Sequence, residues 1–229
     1  MQLRTLALAL IGWSVTLAAC GSDGVTGTDA NRATVQFINA TAASLDVAQG
    51  GSVATGNGAL SYGTTSLCIV TDASNSNLAV RETGTSTALG GFTPAFQPGG
   101  NYSVIAYPGA PGEILFGTVS NAFTASAGQG GLRVFNAAVA GTSYDIYVSA
   151  PGASSATAGA NNVGYGSGSS YFNVVAGTAQ QVRITNAGTQ AVVLDVGNRT
   201  FTPGQNVTLV IAPPLTGSPA PRAFYVTGC

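Results

Sequence analysis

The side chains of this chain best able to do chemistry are three cysteines, Cys20, Cys68 and Cys229, and eight carboxylates, because histidine and lysine are both absent. Without imidazole there is no His general base and no His ligand for zinc, copper or haem. Acid–base work would fall to a pair of carboxylates, the arrangement that cleaves glycosidic bonds. Asp46 and Asp145 are the pair that presents itself, yet each follows the opening strand of a repeated pattern, which puts them in separate domains. A carboxylate at such a strand end serves equally well by accepting backbone N–H bonds. Asp72, Glu82, Glu113 and Asp195 form no recognisable cluster. No catalytic residue, cofactor or metal is therefore expected.

Three further stretches invite a chemical reading and yield a plainer one. Asp72-Ala-Ser-Asn-Ser-Asn77 carries several oxygen ligands but lacks the carboxylate density, Gly and terminal Glu of an EF-hand loop. It reads as an Asx-type connection between strands. Gly159 to Ser170 is rich in glycine, but no P-loop lysine follows it, so it reads as a flexible loop. The eight tyrosines are spread along strands and turns, where packing is a commoner fate than forming a sugar-binding platform.

Charged residues make up 7% of the chain, with a formal net charge of −1. That balance argues against nucleic acid as a partner and leaves solvation to Ser, Thr, Asn, Gln and Gly. The length of 229 residues exceeds a usual single domain, so two domains are expected once the N-terminal segment is set aside.

Arg4 followed by the apolar run Leu6 to Leu17 has the form of an export signal, too short for a confident membrane span. The next residues, Leu17-Ala18-Ala19-Cys20, resemble the bacterial lipobox. The resemblance implies cleavage after residue 19, acylation of Cys20 and a membrane anchor. Three acyl chains at about 0.8 kcal/mol per buried CH₂ would hold far more firmly than one myristoyl group. Residues 20–32 then form a tether of small and polar residues. Gly21 after the cysteine, by resemblance to lipoprotein sorting rules, favours the outer membrane if the host has two membranes.

Beyond the tether the chain repeats itself. Asn39-Ala40 and Asp46 recur as Asn136-Ala137 and Asp145, and Pro98-Gly-Gly-Asn101 recurs as Pro203-Gly-Gln-Asn206. Two matches in the same order imply duplication, with a spacing that suits one small sandwich per copy. Short runs of Val, Ile, Thr, Phe and Tyr broken by Gly, Pro, Asn and Ser predict strands and no convincing helix. We expect an all-β protein of two tandem immunoglobulin-like antiparallel sandwiches, residues 33–128 and 129–229, joined by a Gly-rich linker over 125–131.

Arg133-Val-Phe-Asn-Ala137 and Asp145-Ile-Tyr-Val148 resemble an uncharacterised family of bacterial envelope proteins, whose domains open R-V-x-[HN]-A and continue to D-[VI]-Y-V. The first copy departs from this pattern, with Gln36 in place of Arg and Ala48 in place of Tyr. The resemblance implies tandem sandwiches and an extracytoplasmic location, and no activity.

With Cys20 assigned to lipid, Cys68 and Cys229 remain as an even pair, which outside the cytoplasm usually forms a bridge. An intramolecular Cys68–Cys229 bond is expected; free thiols or a bond between chains are the alternatives. The functional expectation is a non-enzymatic envelope or surface lipoprotein with a protein or glycan partner. A carbohydrate-binding or adhesive module is the alternative, followed by a carboxylate-dependent enzyme acting on polysaccharide.

Overall fold

The computed structural model describes residues 31–90, 92, 95–153, 158–214 and 220–229. The segment expected to be an export signal, Cys20 and nearly all of the expected tether lie outside the described residues. The described chain is all-β, with fifteen strands in four sheets.

In the first copy, β1 (Arg32–Asn39), β4 (Ile69–Asp72), β6 (Asn101–Pro108) and β7 (Ile114–Ser120) form a sheet of order β4-β1-β6-β7. It faces a smaller sheet of β2 (Leu45–Gln49), β3 (Ser52–Val53) and β5 (Leu78–Glu82), in the order β3-β2-β5. The second copy repeats the plan with β8 (Gln129–Asn136), β11 (Phe172–Val175), β14 (Asn206–Ala212) and β15 (Arg222–Thr227), ordered β11-β8-β14-β15. Its outer sheet holds β9 (Ser143–Ser149), β10 (Ala160–Gly164), β12 (Ala179–Asn186) and β13 (Val192–Thr200), ordered β10-β9-β12-β13.

Two expectations need correction. The sandwiches are not wholly antiparallel: β1 pairs in parallel with β6, and β8 with β14. The linker is also shorter than its glycines imply, because β8 begins at Gln129 and takes in Gly130 and Gly131. Gly131 is packed too tightly for a side chain: a Cβ there would lie 2.5 Å from Asn206 Oδ1 and 2.7 Å from a ring carbon of Phe123, while one on Gly130 would lie 3.1 Å from the Thr202 carbonyl oxygen. The stretch read as a flexible loop from Gly159 likewise contains strand β10, bulged against β9 between Ala160 and Val163.

Alternation along the strands divides the apolar residues between cores. On β1, Val35 and Phe37 point into the first sandwich; on β8, Leu132 and Val134 point into the second. The opposite faces of these two strands carry Ile38 and Phe135, both of which enter a third core with Ile105, Tyr107, Val210 and Val226. The sheets β4-β1-β6-β7 and β11-β8-β14-β15 thus pack face to face, and the domains share a core rather than hanging on a linker. This is why β6 and β14 are almost continuously buried, a pattern normally seen where a sheet is covered on both faces.

The shared core is built quasi-symmetrically. Tyr62 of the first domain donates its hydroxyl to the carbonyl of Pro213, just beyond β14. Tyr165 of the second donates to the carbonyl of Pro108, at the end of β6. The offset that relates Pro98 to Pro203 also relates Pro108 to Pro213. Each domain therefore grips the same place on the other, as subunits do across a two-fold interface.

Candidate functional site

The repeated residues are the first candidates, and the structure gives them architectural work. Asn39 is buried at the end of β1 and donates to the carbonyls of Ala43 and Leu60 while accepting from the N–H of Thr41. Asn136 does the same in the second copy, donating to Thr142 and Val163 and accepting from Ala138. A primary amide supplies two donors and an acceptor on one short stem, which is what a buried strand-to-strand crossing requires.

Asp46 and Asp145 lie in separate domains, on β2 and β9 of the respective outer sheets. Asp46 Oδ1 accepts from the N–H of Ala59 at 2.7 Å, and Asp145 Oδ1 from the N–H of Asn162 at 2.7 Å. Both donors, Ala59 and Asn162, are non-glycine residues in the left-handed region, with φ of 52° and 50°. Each carboxylate thus holds a backbone conformation that costs energy by itself. The Ala59 N–H, helped by the Thr83 hydroxyl, keeps the Asp46 carboxyl below its ordinary value against the opposing effect of burial.

A carboxyl lowered in the folded state adds stability that is complete above its unfolded value and is lost as pH falls through the folded one. Asp46→Ala is therefore expected to cost about 1–3 kcal/mol at neutral pH. The gap from the parent should narrow as pH is taken down to about 2. Urea denaturation at several pH values measures this, and a gap independent of pH would contradict the role given to the carboxylate.

Asp72 Oδ1 collects the N–H groups of Ser74 and Asn75, the Ser74 hydroxyl and the Asn31 amide. The segment from Asp72 to Asn77 is an Asx-type turn whose carboxylate is already engaged. No group of three or more metal-binding side chains is gathered among the described residues. None of the eight tyrosines is fully exposed: Tyr102, Tyr107, Tyr144 and Tyr147 are buried, and the others are half-buried.

The two remaining cysteines are brought together. Cys68, just before β4, is bonded to Cys229, two residues beyond β15, with a Cα–Cα distance of 5.8 Å. The bond ties the chain's end onto the first domain, and the Asn101 side chain donates to the Cys229 carbonyl beside it.

Arg133 is the residue whose surroundings the sequence did not reveal. Its family-like position on β8 is the equivalent of Gln36 on β1, but the side chain is 2% exposed. Nε donates to Thr208 Oγ1 at 2.9 Å, and the terminal nitrogens donate to the Ser120 carbonyl and Asn121 Oδ1 at the end of the first domain. The guanidinium also lies 4.7 Å from the centre of the Tyr171 ring. Burial draws it down to about 10, so it remains a cation at neutral pH. An open cleft of about 360 Å³ adjoins it, walled by Val119, Ala122, Phe123, Ser170 and Tyr171.

A search of curated proteins found no match to this chain. A family model described as a domain of unknown function matches residues 33–147 and again 130–227, so the first match runs through the linker into β8 and β9. Covering nearly all of the described chain in two tandem copies, these matches show that it belongs to the DUF4397 family.

Proposed function

We propose that this protein is a lipid-anchored, non-enzymatic component of a bacterial envelope or cell surface, carrying two immunoglobulin-like sandwiches as one rigid interaction body. The observation that carries the reading is the Cys68–Cys229 disulfide, because such bonds persist outside the reducing cytoplasm. It agrees with the signal-like apolar run and with Leu17-Ala18-Ala19-Cys20. Acylation at Cys20 would place both domains a short tether away from the membrane, facing a protein or glycan partner, and in an envelope with two membranes the outer one is favoured.

The engagement of Asn39, Asn136, Asp46, Asp72 and Asp145 in holding turns supports a structural role over catalysis for those residues. Acylation is tested by replacing Cys20 with Ala. The variant is expected to lose labelling by radioactive palmitate in its native host and to leave the membrane fraction. Labelling that persisted in the variant would refute the anchor.

A further inference from the structure

The quasi-symmetry makes Arg133 and the disulfide counterparts. β1 pairs Val35 with Ile69, and β8 pairs Leu132 with Phe172, so Cys68, just before Ile69, corresponds to Tyr171. Tyr102 pairs with Ser120 and Val207 with Thr227, so Cys229 corresponds to Ala122. Where one end of the domain junction is closed by a covalent bond, the other end has an open cleft with Arg133 at its base.

Arg133 differs from an ordinary buried cation in having no acid beside it among the described residues. Its hydrogen-bond partners are a hydroxyl, a carbonyl and an amide oxygen, and the titratable group it feels is the Tyr171 phenol. Three of the five guanidinium N–H groups are engaged, leaving one on each terminal nitrogen. Burying a positive charge without a counter-charge is costly, and a carboxylate brings the missing charge together with strong acceptors for the remaining donors. The cleft is at the small end of ligand sites and has room for one sugar-sized molecule.

We propose that this cleft binds the carboxylate of a small molecule of about monosaccharide size, with Arg133 receiving the charge and Ala122, Phe123 and Tyr171 shaping the mouth. This goes beyond the scaffold reading above and does not depend on acylation of Cys20. The position that corresponds to Arg133 in the first copy, Gln36, carries no charge, so the site exists at one end of the junction alone.

The test is calorimetric titration of the intact protein in detergent with glucuronate, glucose and inorganic phosphate. Glucuronate should bind saturably and glucose at least tenfold more weakly, and added salt should weaken the glucuronate signal. Arg133→Gln should abolish binding. Because that change also removes bonds between the domains, Ala122→Trp provides a second variant: Ala122 is exposed, so the indole fills the mouth without touching the Arg133 bonds, and affinity should fall at least tenfold. Equal binding of glucose, absence of saturable glucuronate binding, or glucuronate binding unchanged in Ala122→Trp overturns the site. Phosphate binding without glucuronate binding overturns the carboxylate assignment. None of these outcomes bears on palmitate labelling of Cys20, so failure here is distinguishable from failure of the lipoprotein reading.

Discussion

Replacing Cys68 and Cys229 together by Ser is expected to lower the unfolding free energy by about 2–5 kcal/mol, with both sandwich cores intact in the folded variant. The upper figure is what the chain-entropy model gives for a loop of 161 residues, about 5 kcal/mol. The structure shows what that loop encloses. After β7 the chain runs onto the second domain, where Asn206 donates to the carbonyls of Asn121 and Phe123. After β15 the tail runs onto the first domain, where the equivalent Asn101 donates to the Cys229 carbonyl. Peptide continuity secures the first crossing, and the disulfide secures the second, so the two-domain unit becomes a closed ring. Both cysteines are exposed, which lets reductant reach them without unfolding. Guanidinium denaturation with and without reductant, against the double variant, measures the effect. An unchanged midpoint would show that the ring adds no stability.

The strands themselves were largely legible. Leu78–Glu82 and Asn206–Ala212 are bounded as the apolar runs predict, because each is framed by turn residues and packs one alternating face into a sandwich. β10 was hidden because it is a short, bulged edge strand whose Asn162 lies in the left-handed region, and glycine and asparagine there look like loop. Among its described residues the first copy has no counterpart of β13. After β5 an isolated bridge from Arg81 to Ala88 is followed by irregular chain whose Phe92 and Phe96 close the core, and period-two reasoning has no means of seeing a wall made by loop aromatics. The parallel pairs were missed because pairing direction leaves no mark on the alternation of one strand.

The shared core did leave a mark. In Val35-Gln-Phe-Ile38 and Leu132-Arg-Val-Phe135 apolar residues occur on both faces, which is the sign of a strand covered on both sides. Read copy by copy, such residues pass for ordinary strand formers, because the surface that buries Ile38 and Phe135 belongs to the other domain. Arg133 was obscured for a related reason. As the first letter of a recurrent motif it looks like an exposed strand charge, and its burial follows from the linker crossing β8, a long-range consequence of how the domains meet.

Phe135→Ala is expected to cost about 3–5 kcal/mol, the range for emptying a buried aromatic site. The cost should fall on the coupling of the two domains. Phe135 is 1% exposed, meets Tyr107 edge-on at 5.6 Å and lies over the backbone of Gly117 in the first domain. A Cβ on Gly117 would stand 2.4 Å from Phe135 Cζ, so the ring occupies the space that a side chain there would need. Gly117 has no positive φ among the backbone exceptions, which leaves the ring, and not the backbone, as what forbids alanine. Gly117→Ala alone should therefore destabilise by about 1–3 kcal/mol through overpacking. In the Phe135→Ala background the same methyl enters an empty space and should be neutral or stabilising. A double-mutant cycle read by chemical denaturation reports the sign of the coupling. Simple additivity of the two substitutions would mean that Phe135 and Gly117 do not meet, and that the domains are joined by the linker and disulfide without a common core.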